Sequence, residues 1–357
     1  MGKGPKILIA GAGPTGLTAA VELSRQGIIP RIIDRKKEPS VLSRAVGVMP
    51  ASLNILKSSG VTDRLVKEGI KMKFNQIFKG DRLLVKIPLE GGHPDWDFAI
   101  ALPQDRTEHA LIDALKKYDG SVEFGHELTG IRQDSEKVVV NINNGPDEEY
   151  DYVLGADGIH SAVRTQLGID YPGYDLPETW SIADVDAVNW PYNDAGTICI
   201  LPNGNMAFIV ALEKNRYRII SNTEDALAAL PLKLEVTNKH REGQFTISIR
   251  QVKEYRIGRI CLAGDAAHCH SPAGGRGMNL GIADAAEWAK RIVENDLEGY
   301  SRSRHETGAA TIALSERLRK TMSSKSPVTK IILSVFAAAV NIFPPLQHRI
   351  AKTFLDG

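Results

Sequence analysis

Cysteine is scarce. The three in 357 residues, Cys199, Cys261 and Cys269, are odd in number, and their spacing fits neither a zinc site nor a redox pair. A reducing compartment is the simplest setting, so a cytoplasmic protein is expected. An excess of either charge is also missing. Lys plus Arg number 44 against 43 for Asp plus Glu, which argues against a nucleic-acid binder working through bulk positive charge. Long hydrophobic runs are absent too. The most apolar stretch, residues 331–343, is interrupted by Ser334 and Asn341 and falls short of the ~20 residues of a spanning helix. No membrane span is expected, and the stretch reads as a buried or interfacial helix. Residues 1–5 lead directly into an apolar strand, with no signal-peptide pattern.

With 43% apolar and 24% charged residues, the composition is that of an ordinary folded chain. Its length suggests two domains and a tail, with a core large enough to need no crosslink. The fold class is α/β. Residues 6–10 form a continuous apolar run, as in a parallel strand covered on both faces. A Gly-rich turn, a helix over 17–26 and a strand over 31–34 follow. Residues 43–58 and 105–118 have helical spacing. Strands are expected at 122–124, 137–142 and 150–156, then near 197–201, 206–212, 216–221 and 245–250. Helices follow over 277–294 and 301–320. The pattern is interleaved, with a dinucleotide-binding domain over 1–70, 103–170 and 255–298. A β domain, inserted through two excursions, covers 71–102 and 171–254. Residues 299–357 form a C-terminal helical segment.

Gly11-Ala12-Gly13-Pro14-Thr15-Gly16 lies between the first strand and the first helix. Gly11 permits the tight turn, Gly13 lets a pyrophosphate approach the backbone, and Gly16 lets the helix pack close to the strand. The helix start offers free N–H groups to phosphates. Asp34 ends the next strand, followed by Arg35, and its carboxylate suits a ribose diol. This is the only such fingerprint, so one dinucleotide is held permanently.

Two later segments repeat the strand-then-loop logic. Asp157-Gly158-Ile159-His160-Ser161-Ala162-Val163-Arg164 follows one apolar strand. Gly264-Asp265-Ala266-Ala267-His268 follows another and continues through Ser271-Pro272-Ala273-Gly274-Gly275-Arg276-Gly277-Met278-Asn279. The second is a strand ending in an acid, then a Gly-rich loop opening a helix, which presents N–H groups and a dipole to an electron-rich group.

Together these motifs resemble the class A flavoprotein monooxygenases, the group of para-hydroxybenzoate hydroxylase and phenol hydroxylase, over about residues 5 to 305. The resemblance implies a Rossmann-like FAD-binding domain, an inserted antiparallel β-sheet substrate domain and C-terminal helices. It implies bound FAD, NAD(P)H as transient electron donor, O2 and a small aromatic substrate. The expected reaction is hydroxylation of a phenolic or polyketide-like ring through a flavin hydroperoxide. By resemblance, Asp34 binds the adenosine ribose and Arg44 lies near the FAD and the nicotinamide path. Gln104 touches the FAD, Asp157 serves both nucleotides, and Asp265 binds the ribityl chain. Gly275, Gly277, Met278 and Asn279 lie along the isoalloxazine, and Pro272 beside the substrate. Arg276 departs from the family, which often has Gln or Lys there.

Other residues are weighed against plainer roles. His268 suits a loop brace, while His270, nearer Pro272, is a candidate to face the substrate. Cys269 reads as a packed small residue, and Trp180, Trp190, Tyr192 and Tyr217 as sheet core. The basic stretch 302–320 reads as a solvated face. Alternative activities on the same scaffold are epoxidation, Baeyer–Villiger insertion or reduction, and beyond those a non-enzymatic flavin-binding protein. There is no Trp-x-Trp-x-Ile-Pro of halogenases and no cysteine pair of disulfide reductases. A monomer or homodimer is expected.

Overall fold

The computed structural model describes residues 4–39 and 45–355. Six strands form one sheet in the order Arg256–Ile257, Ile260–Leu262, Tyr152–Gly155, Ile7–Ala10, Arg31–Asp34, Val122–Phe124. All but the first run parallel. Ile7, Leu8, Ile9, Val153, Leu154, Ile260 and Leu262 are buried, because helices cover both faces of a parallel sheet and each strand must be apolar throughout. The helices Pro14–Arg25 and Gly277–Glu294 pack against each other.

The second large sheet has seven strands in the order Glu235–Phe245, Trp180–Val188, Arg216–Ser221, Met206–Glu213, Ala195–Ile200, Phe74–Lys79, Arg82–Pro88. Its pairings are antiparallel except one, between Ala195–Ile200 and Phe74–Lys79. That parallel pair joins the two excursions, residues 71–102 and 171–254, into a single sheet. Along Arg216–Ser221 the side chains alternate. Tyr217 and Ile219 join a core with Trp190 on the far face, while Arg218 and Ile220 point to the other side. Register puts Asp184 opposite Arg218 and both Ile182 and Phe208 opposite Ile220.

The expected α/β class agrees with this architecture, with local differences. The helix expected over 43–58 is only Pro50–Ile55, because Gly47–Val48 pairs with Ala99–Ala101 instead. Pro50 sits at the helix start and leaves Met49 extended, as a residue before proline prefers. Residues 43 and 44 lie outside the described residues. Several strands were not expected, two of them long. Glu235–Phe245 is a largely exposed edge strand without apolar alternation, and Trp180–Val188 is almost entirely buried. The stretch 302–320 is no simple solvated face. Arg304 and Arg319 are buried and ion-paired, with Asp284 and Glu316 respectively. After the helix Tyr300–Met322 come Pro327–Ile342 and Pro344–Leu355. The apolar face of Pro327–Ile342 is partly exposed rather than buried.

Two motif glycines answer to different constraints. A Cβ at Gly16 would fall on the carbonyl oxygen of Gly11, backbone against backbone, whereas one at Gly13 would meet nothing within 4 Å. Gly16→Ala therefore destabilises the cofactor-free protein by about 3 kcal/mol, as overpacking does. Gly13→Ala leaves the thermal midpoint unchanged. Thermal denaturation of the two apo variants side by side checks this contrast.

Candidate functional site

Asp34, Asp157 and Asp265 come from different thirds of the chain. Each lies at or just past the C-terminal end of a strand in the parallel sheet, and the turn 11–16 leaves the strand between those of Asp34 and Asp157. Neighbouring parallel strands end on one side, so all three motifs open on one edge, where ligands of open α/β sheets bind.

The motifs also brace one another. The N–H of Ala12 donates to Asp34 Oδ2 at 2.8 Å, and the N–H of Lys36 to Oδ1 at 2.8 Å. Each oxygen keeps a second lone pair for a ribose hydroxyl. Gly11, at positive φ, sits so close to Ala156 and Asp157 that a Cβ would strike their backbone. A Cβ on Gly264 or Gly281 would run into Thr15 Oγ1, so the Thr15 side chain fills the gap between the first and third motifs. The buried Arg164 guanidinium donates to the carbonyl of Ala266 at 2.9 Å and of Ile159 at 2.7 Å, tying the second motif to the third. Asp157 Oδ2 accepts from the N–H groups of Ala162 and Val163. Burial pushes its carboxyl above the usual range.

Gly264, at φ 60°, opens the short turn that carries Asp265. Its N–H donates to Asp284 Oδ2 at 2.9 Å, and the same oxygen lies 2.5 Å from His268 Nε2. Arg304 Nε donates to Asp284 Oδ1 at 2.6 Å. Asp284 is fully buried. Burial pushes its carboxyl up, but His268, Arg304 and the Gly264 N–H outweigh that and hold it below the ordinary range. His268 is thus buried against an acid behind the turn. Sequence reasoning did not single out Asp284 and gave Arg164, which ends the second motif, and Arg304 no bracing role. The signal for Asp284 was an acid inside the apolar stripe of Ala285, Trp288 and Ile292.

The remaining residues fall as follows. Asn279 accepts from the Met49 N–H at 2.8 Å and donates to the carbonyls of Gly47, 2.9 Å, and Gly275, 3.0 Å, so its side chain pins the 47–49 strand to the loop. Met278 is buried, and Gly275 is left-handed at φ 65° beside the Met49 methyl. Pro272 is exposed, and its carbonyl closes a turn with the Gly275 N–H. Arg35 is exposed beside Asp34. Gln104 starts a helix, accepts from the Ala45 N–H and donates to the buried Glu108. Pro14 is the first residue of its helix. Arg44 lies outside the described residues. Cys269 is buried against the Tyr171 hydroxyl, and burial raises its thiol far above the range of a reactive cysteine.

His270 differs from its neighbours. Its Nδ1 lies 2.8 Å from the carbonyl oxygen of Ser271. A carbonyl only accepts, so Nδ1 carries the proton and Nε2 is the acceptor. Nε2 is sealed from solvent, has no hydrogen-bond partner among the described residues, and lies near Gly277 at the start of the helix. Burial lowers the imidazole to about 4, so the ring is neutral at ordinary pH.

The set fits a flavin dinucleotide. Gly13 borders open space, and no side chain caps the helix that Pro14 begins, so its first N–H groups are available to phosphates. The helix Gly277–Glu294 also starts without a side-chain cap. The sheet of seven strands faces this edge through Met49, which packs with Phe208 and Val210 in one core and touches the Gly275 loop.

Comparison with known proteins agrees. Residues 5–312 match the FAD binding domain family. A flavin-dependent monooxygenase of Mycobacteroides abscessus is 32% identical over 370 residues, covering 91% of this chain and 77% of that protein. A 6-methylpretetramide 4-monooxygenase of Streptomyces rimosus is 28% identical, covering 99% of this chain and 69% of that one. The crystal structure of p-nitrophenol 4-monooxygenase from Pseudomonas putida superposes with a TM-score of 0.89, covering 100% of this chain and 99% of that one at 20% identity. Among the described residues no single helix is long and apolar enough to cross a membrane. The chain belongs to the FAD binding domain family and is a flavin-dependent monooxygenase.

Proposed function

We propose that this enzyme hydroxylates a phenol-type aromatic ring, and that His270 receives the substrate hydroxyl. The observation carrying this reading is the sealed, unpartnered Nε2 of His270 beside the loop that begins the helix Gly277–Glu294. A buried acceptor without a donor costs about 1–3 kcal/mol, and a substrate hydroxyl would satisfy it once a small shift of the adjoining glycine-rich loop admits it. The names of relatives support the substrate class: one acts on 6-methylpretetramide, and a structural neighbour on p-nitrophenol.

Bound FAD supplies hydride acceptance from NAD(P)H and, once reduced, activation of dioxygen. The protein's part is to hold, orient and exclude water. The turn 11–16 and its helix start would hold the pyrophosphate, Asp34 the adenosine ribose, and Asp265 the ribityl hydroxyls. Gln104 and Asp157 complete the cofactor contacts, with Arg35 beside the adenosine end. The backbone from Gly275 to Met278 would face the isoalloxazine, and the positive end of its helix stabilises negative charge there. Asn279 and Thr15 act from behind by fixing that backbone. Pro272 would border the substrate. His270 Nε2 would accept the hydroxyl proton in a hydrogen bond, raising electron density on the ring carbon beside it. The sheet face of Ile182, Phe208 and Ile220, with the Asp184–Arg218 ion pair at 2.6 Å, would form the opposite wall.

Three outcomes test this reading. A screen of phenols, quinones and polyketide precursors should find compounds that stimulate NAD(P)H and O2 consumption and gain one oxygen atom by mass. Turnover without oxygen would point to a reductase instead. Gly13→Val should fold with an unchanged apo thermal midpoint yet lose FAD affinity by at least about tenfold, since its branch fills the phosphate approach; retained colour at equal affinity refutes the assignment of that turn. His270→Phe should keep FAD and lower kcat/KM by about tenfold, the worth of one hydrogen bond. The sign with pH follows from the folded value near 4 against 6.5 unfolded. The unfolded chain takes this proton first, so the stability from the neutral ring is whole above 6.5 and is lost as pH falls toward 4. His270→Phe should flatten that part of the stability profile.

A further inference from the structure

The helix Pro327–Ile342 is inverted relative to an ordinary surface helix. Its inner side packs through the buried Ala337 and Val340 toward the strand Arg82–Pro88, with Asn341 Nδ2 donating to the Leu84 carbonyl at 2.8 Å. Its outer side carries Val328, Ile331, Ile332, Val335 and Phe336, continued by Phe343, each between 47% and 64% exposed. The helical members are spaced i, i+3, i+4, i+7, i+8, which is one continuous stripe. A soluble helix turns such a stripe inward, and a patch of this kind on a surface marks an interaction site.

Charge identifies the occupant. From residue 320 to residue 355 the sequence holds five Lys or Arg and neither Asp nor Glu, in a chain whose net charge is only +1. Lys320 and Lys325 before the stripe, and Arg349 and Lys352 after it, are exposed and form no ion pair among the described residues. A second copy docking on this face would bring the same cations together, with no acid between residues 320 and 355 to meet them. An anionic lipid surface supplies both complements: acyl chains for the stripe and headgroup phosphates for the basic rim. The stripe is too short to cross a bilayer, and one side of its helix is already spent on the protein, so the helix lies in the plane of the interface. We infer that this chain docks reversibly on anionic phospholipid membranes through the outer face of Pro327–Ile342.

Sedimentation with phosphatidylcholine vesicles, with and without phosphatidylglycerol, tests the inference on the FAD-loaded enzyme. Binding to the mixed vesicles should be at least about tenfold tighter than to phosphatidylcholine alone and should weaken with added salt. Ile332→Glu/Phe336→Glu should abolish it, and Lys325→Glu/Lys352→Glu should reduce it several-fold. These positions are exposed, so flavin content and NAD(P)H oxidation in solution should not change. Failure of the unaltered enzyme to bind mixed vesicles at low salt overturns the proposal. So does equal binding by the Ile332→Glu/Phe336→Glu variant. A dimer by light scattering that this variant dissociates, without vesicle binding, assigns the face to a second copy instead and equally overturns it.

Discussion

Neighbouring parallel strands must finish on the same side of their sheet, and this constraint organises the molecule. Strands separated by more than 100 residues of chain lie beside one another between Asp34 and Asp265. Each carries its motif to the same edge without any motif needing to recognise another. The β sheet built from two excursions, one between the first and second motifs and one between the second and third, is tolerated for the same reason, since each leaves and re-enters the parallel sheet without disturbing its order.

Side-by-side ends are not yet a rigid site, and the bracing behind them supplies the rest. Asp284 gathers a backbone N–H, a histidine and an arginine around one carboxylate in the protein interior. A buried charge of this kind is costly to leave unpaired, so the turn bearing Asp265, the segment after it and the helix Tyr300–Met322 have one low-energy arrangement. Arg164 and Thr15 extend the bracing to the other two motifs. The outward groups need only meet the ligand, because their positions are already settled from within.

Much of the nucleotide edge was legible in the residues because it is local. Glycines at fixed offsets, an acid at a strand end and an apolar run are signals contained in a few positions. The class of the fold and the long helix beginning at Gly277 could be read for the same reason. The bracing was less legible. Nothing near Arg304 announces that it will meet Asp284, and a run of arginines looks solvated until tertiary contact buries two of them. The strand Glu235–Phe245 escaped because an exposed edge needs no alternation of apolar residues. Gly47–Val48 defeated helical spacing because cross-strand pairing with Ala99–Ala101 outweighed a weak local preference. The wall proposed to face the cofactor edge rests on register across strands, which a linear pattern does not contain.

Arg276 reaches from the glycine-rich loop to the C-terminal helix, where Nη2 donates to the Thr353 carbonyl at 2.5 Å. Ala351 and Leu355 of the same helix seat against Gly92 and the core beneath Met49. The helix Pro344–Leu355 is therefore a keystone for a loop some 77 residues upstream. Unravelling of this helix would slacken the glycine-rich loop before it touched any residue of the sheet.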